Sequence, residues 1–239
     1  MSIFRAADIL LPKNVDFSKW SVVACDQYSS EPQYWEKAEE IAKGSPSTLN
    51  IIYPEAYLNE PDGDKRIERI NRTMEQYLSD GIFKEYTDSL IYVERTQKNG
   101  KVRRGIVGAI DLEAYDYSVG SQSLVRATEG TIISRIPPRQ RIRKNAPLEL
   151  PHILMLADDR EKEIIEPLSE IKDSLEVVYD FELMQGGGHL KGWLLDDDAK
   201  KDVLSKVEKL ENEEEFYAKY GINGKSVLAI AVGDGNHSL

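Results

Sequence analysis

Six consecutive residues near the end of the chain carry the densest chemistry: Gly233-Asp234-Gly235-Asn236-His237-Ser238. They put a carboxylate, an amide, an imidazole and a hydroxyl into one short loop. The two glycines let the backbone take positive φ and approach a ligand closely. The loop follows an apolar run, Val227-Leu228-Ala229-Ile230-Ala231-Val232, which reads as a short buried strand. In α/β folds ligands bind where the chain leaves the carboxyl end of a strand. Ordinary turn chemistry would also explain Gly-Asp-Gly-Asn. The loop is not a Walker loop, having no Lys-Ser/Thr ending, and not a dinucleotide fingerprint, having no third glycine in place.

A second stretch is basic. Arg126, Arg135, Arg139, Arg141, Arg143 and Lys144 fall within nineteen positions of an otherwise acidic chain. Guanidinium forks match phosphate or carboxylate oxygens in one plane, so the stretch reads either as an anion-binding wall or as a solvated basic turn. Pro137-Pro138 would stiffen it and start a short helix. A third stretch, Cys25-Asp26-Gln27-Tyr28-Ser29-Ser30-Glu31-Pro32, offers Asp26 and Glu31 as general base or metal ligand. The alternative is a capped turn and a helix start. Cys25 has no local base, which favours a buried structural thiol. Asp158-Asp159 suits water-mediated magnesium or the cap of a following helix. His189, behind Gly186-Gly187-Gly188, is a flexible-loop candidate for substrate contact. Three histidines at 152, 189 and 237 show no zinc spacing.

The elements that must position these groups alternate. A short strand is expected at 22–25 and a helix from Ser30-Glu31-Pro32 to Lys43, stopped by Gly44. A second helix follows Pro61-Asp62-Gly63 and ends at Gly81. Asn99-Gly100 predicts a hairpin between strands at 90–96 and 101–110. Later come a strand at 153–156, a helix over 161–175, strands at 177–183 and 189–195, a helix opened by Asp196-Asp197-Asp198, and a short helix around Phe216-Tyr217. The pattern predicts one mixed α/β unit over residues 1–239, a mixed sheet with flanking helices, with a sub-boundary near 145–151.

Composition narrows the class. With 41% hydrophobic and 31% charged residues the chain is globular rather than disordered. A net charge of -11 disfavours nucleic acid as a partner, since that needs a basic face. A single cysteine excludes an internal disulfide and fits a reducing cytoplasm. No run approaches the ~20 apolar residues a membrane helix needs. Composition leaves the oligomeric state open.

Three separated motifs together resemble a bacterial family of unknown function, DUF1015. They are Trp20-Ser21-Val22-Val23-Ala24-Cys25-Asp26-Gln27-Tyr28, residues 126–151, and Gly233-Asp234-Gly235-Asn236-His237. The resemblance covers essentially the whole chain and implies the amino-terminal portion of a longer protein, incomplete at its carboxyl end. A more distant similarity is to the ParB/sulfiredoxin-like fold of free serine kinases, which carry an Asp-Gly-His-x-Arg loop at a phosphate site. Asp234 and Gly235 match that loop, Asn236 stands where it has His, and Ser238 where it has Arg.

That similarity implies a phosphotransferase acting on a small polar metabolite such as free serine, with magnesium and ATP, ADP or another phosphoryl donor. Asp234, His237, Glu31 and Glu129 are then the catalytic candidates, with either glutamate as base. Gly233, Gly235, Asn236, Arg126, Arg135, Arg139 and Arg141 would bind the phosphate or ligand. Two other readings are a nucleotide-responsive binding module without turnover, and a partner-binding scaffold using the acidic helices at 196–215.

Overall fold

The computed structural model describes residues 2–150 and 152–239; Pro151, at the end of the second motif, lies outside them. Helices and several sheets, antiparallel and mixed, build an α+β architecture. Asn99-Gly100 forms the expected hairpin: Gly100 takes φ +77°, and strand Ile91–Thr96 pairs antiparallel with Val102–Val107. On its other edge Ile91–Thr96 pairs with Gly188–Leu194, which pairs in turn with Glu176–Leu183. Helix Asp197–Lys209 covers this sheet, burying Val203 and Val207 against Leu90, Tyr92 and Trp193. Asp196 caps the helix by accepting the Ala199 N–H at 2.8 Å, satisfying one donor that the first turn leaves unpaired.

A second sheet carries the candidate loop. Its strand order is Tyr115–Asp116, Val125–Ala127, Ile230–Asp234, Leu154–Ala157. Ile230–Asp234 runs parallel to Val125–Ala127 and antiparallel to Leu154–Ala157, so the sheet is mixed. Val125 and Val232 are fully buried, which anchors both central strands; each such side chain contributes about 1.5–3 kcal/mol. A third core gathers Trp20, Ile51, Tyr53, Ile70, Met74 and Tyr77, with Ile142, Ala146, Leu148 and Leu150 packed against it. Helix Gly63–Ser79 presents Ile70, Met74 and Tyr77 to it, one apolar face at helical spacing.

Several expectations need correction. Residues 22–25 form no strand; the nearby regular element is the short helix Phe17–Trp20, capped by Asp16. The helix expected over 161–175 shrinks to Leu168–Ile171 plus a 3-10 turn, Lys172–Ser174. Pro167 explains this: it cannot donate to a preceding turn, so it starts the helix instead of lying within it. The last strand begins at Ile230 and runs through Gly233 into Asp234. His189 lies on a strand rather than a flexible loop, with its Nε2 2.7 Å from Asp180. Asp158 accepts from Tyr220 and pairs with Lys219, while Asp159 takes the Glu163 and Ile164 N–H groups. That acidic pair therefore serves local structure.

Candidate functional site

The strand Ile230–Asp234 delivers its loop against the segment that follows its parallel neighbour. Thr128 donates through both N–H and hydroxyl to the Val232 carbonyl, at 3.2 and 2.7 Å. Gly235 takes φ +84°, and a Cβ there would come within 3.0 Å of Ile153 Cγ1, so this glycine is needed for the turn. The Ser238 N–H closes the turn on the Gly235 carbonyl at 2.8 Å. Asn236 is buried; its amide donates to Thr131 Oγ1 at 3.1 Å and its carbonyl accepts from Tyr115 Oη at 3.3 Å. Asn236 is thus a structural pin for the loop. Asp234 is exposed and accepts the Gly235 N–H at 2.9 Å.

His237 accepts the Ile132 N–H through Nε2 at 2.9 Å, which assigns the neutral ring's proton to Nδ1. Burial, followed by the Arg135 and Arg139 charges, pulls its pKa below the ordinary value, and Glu129 and Glu55 oppose the shift. The imidazole is therefore neutral at pH 7.

The basic stretch folds as helix Ile136–Arg143, with Pro137 and Pro138 in its first turn. Its side chains form one wall of an open groove of about 410 Å³. Ile136, Arg139, Gln140, Arg143, Lys144 and Glu149 face His237, Ser238 and Leu239 across it. Arg143 donates to the Ser238 carbonyl and pairs with Glu149, and Arg139 pairs with Glu55. Two guanidinium groups are thereby held beside the loop by carboxylate and carbonyl partners. Among the described residues no cluster of three or more His, Cys, Asp or Glu side chains assembles a metal site.

The sequence pattern of the DUF1015 family, described as a protein of unknown function, matches residues 6–239. The chain belongs to that family. No curated protein and no solved structure matches it. In this DUF1015 chain the three motifs converge: Cys25 from the first, Arg139 and Arg143 from the second, and Ser238, next to the third, wall one cavity. The Cys25 thiol sits 3.9 Å from the His152 ring nitrogens, and burial pushes its pKa up to about 12, so it stays protonated.

Of the residues singled out from sequence, Arg139 and His237 line the groove beside the loop that Gly233, Asp234, Gly235 and Asn236 build, and the charges of Arg135 and Glu129 act on the His237 ring without lining the groove. Arg126 does not join them. It donates instead to the carbonyls of Ser123, Ser226 and Val227, tying down the approach to the last strand. Arg141 pairs with Asp64 outside the groove, and Glu31 sits exposed before helix Pro32–Ala42. Glu55 is a functional candidate that sequence reasoning passed over, and Arg143 was read as part of the basic wall without being singled out as a ligand. For Arg143 a signal existed: positions 135, 139 and 143 recur every four residues, one face of a helix, while 141 points elsewhere.

Proposed function

We propose that the protein is a phosphotransferase acting on a small polar metabolite, free serine being the first substrate to test. The observation that supports this best is the meeting of Arg139, Arg143 and His237 in one groove beside the Asp234 strand end. Phosphoryl transfer asks a protein mainly for positioned charge, and two restrained guanidinium groups supply it. The similarity to ParB/sulfiredoxin-like free serine kinases belongs to the same proposal. Those kinases carry Arg where this chain has Ser238, and here Arg143 reaches the Ser238 carbonyl from a different segment.

In this reading Arg139 and Arg143 take the non-bridging oxygens of the transferred group. Asp234 or Glu129 receives the proton of the substrate hydroxyl as its oxygen bonds to phosphorus. The bond from phosphorus to the donor's leaving oxygen breaks, releasing a nucleotide or phosphate. Magnesium would arrive with ATP, ADP or pyrophosphate. Glu31 has no part in it.

Phosphorus NMR of the chain with serine, magnesium and each donor in turn tests the proposal. The expected result is a phosphoserine resonance that either Asp234→Asn or Glu129→Gln, whichever removes the base, reduces at least ~100-fold, in the range of a lost general base. Binding of donor with no transfer to any acceptor would favour a nucleotide-responsive module instead. Neither binding nor transfer would overturn both.

A further inference from the structure

Behind the basic groove lies a second, more enclosed space of about 110 Å³. Ile51, Leu58, Ile70, Met74, Ile142 and Leu148 give it an apolar wall. Cys25 and His152 also line it, and the protonated thiol behaves there as a small apolar group. Close-packed interiors leave few voids larger than a water molecule, and an apolar void offers water too few partners to hold it. Arg139, Arg143, Glu149 and Ser238 wall the cavity and the groove alike. The two spaces therefore adjoin across the same pair of guanidinium groups.

We infer that the site takes an amphipathic anion: a phosphate ester whose compact aliphatic or aromatic group enters the cavity while its head lies against Arg139 and Arg143. The inference rests on the anion-site reading above and replaces free serine, as the acceptor, with a less polar one. Phosphoserine would have to bring its ammonium and carboxylate groups toward the apolar wall, at a desolvation cost that an alkyl or aryl group does not carry. A branched four-carbon chain or a single ring is of the right order, since an apolar cavity of ~150 Å³ accepts benzene. The head group gains from exchange of partners: Arg139 and Arg143 each already hold a carboxylate, Glu55 and Glu149, that a more highly charged phosphate can replace.

Calorimetric titration with inorganic phosphate, ethyl phosphate, isobutyl phosphate and phenyl phosphate tests this. Affinity should rise about fourfold for each carbon that enters the cavity. Ala146→Phe and Leu148→Trp each add bulk to the cavity from the segment that follows helix Ile136–Arg143. Each should abolish the gain from the alkyl or aryl group and leave inorganic phosphate binding unchanged, which also shows that the variant is folded. Equal affinity for all four ligands would overturn the inference while leaving the anion site standing. A gain that persists in both filled variants would place the apolar group elsewhere and overturn it too. Binding of none of the four would remove the anion site itself, and the inference with it.

Discussion

The site favours the neutral form of His237. Its Nε2 accepts the Ile132 N–H, and the Arg135 and Arg139 charges disfavour the protonated ring. Its pKa is lower folded than unfolded, so the folded state binds fewer protons in that window. Its contribution to stability is present above the ordinary value of about 6.5 and is lost as pH falls through the lowered one. Thermal denaturation of the wild type should therefore drop more steeply between pH 7 and pH 5 than that of His237→Gln. A bound anion favours imidazolium, so affinity for sulfate, whose charge does not change in this range, should strengthen over the same fall in pH. Glu149 has the opposite sign of effect: it holds Arg143 and repels anions, and Glu149→Gln should tighten phosphate binding about two- to fivefold. Arg126→Met should leave phosphate binding intact yet cost about 2–3 kcal/mol in urea denaturation, because it strips three carbonyls of their donor. Nothing in the order of residues distinguishes Arg126 from the groove arginines. All are basic and near in sequence, and only the strand pairing turns Arg126 toward Ser226. Arg141 and Arg143 are separable from sequence, but only once the stretch is read as a helix rather than a charge run.

At the scale of elements, the site depends on one turn and one helix start. Gly235 sits at φ +84° hard against Ile153, so Gly235→Ala should cost about 1–3 kcal/mol in chemical denaturation and loosen the His237 contact as well. Pro137-Pro138 fixes where helix Ile136–Arg143 begins and so the phase of its arginine face. Local signals of this kind were legible. Asn99-Gly100 marked a hairpin, Asp196-Asp197-Asp198 a helix start, and Gly81 a stop with φ +63°. What stayed illegible depended on contacts distant in sequence. The apolar run 227–232 looks like a strand from its first residue, yet pairing with Val125–Ala127 begins only at Ile230. Residues 161–166 carry helical periodicity, but Pro167 ends that option and Ile164 is buried without a helix around it.

At the scale of the molecule, an acidic chain of net charge -11 concentrates cations in one groove. An anion that bound this groove would do so against the overall field, through local geometry rather than long-range steering. No helix among the described residues is long and apolar enough to cross a membrane. The mixed fold class was readable from alternating patterns; the convergence of residues 25, 139, 143 and 238 was not, because three different segments supply them. The groove as an anion site is the claim on which the rest depends. Calorimetric titration of pyrophosphate into the wild type and the Arg139→Gln/Arg143→Gln double variant measures it directly. The account predicts salt-sensitive binding to the wild type and a loss of at least ~tenfold in the variant, the scale of charge-assisted hydrogen bonds. Equal binding by the two proteins, or no binding to the wild type, would contradict it.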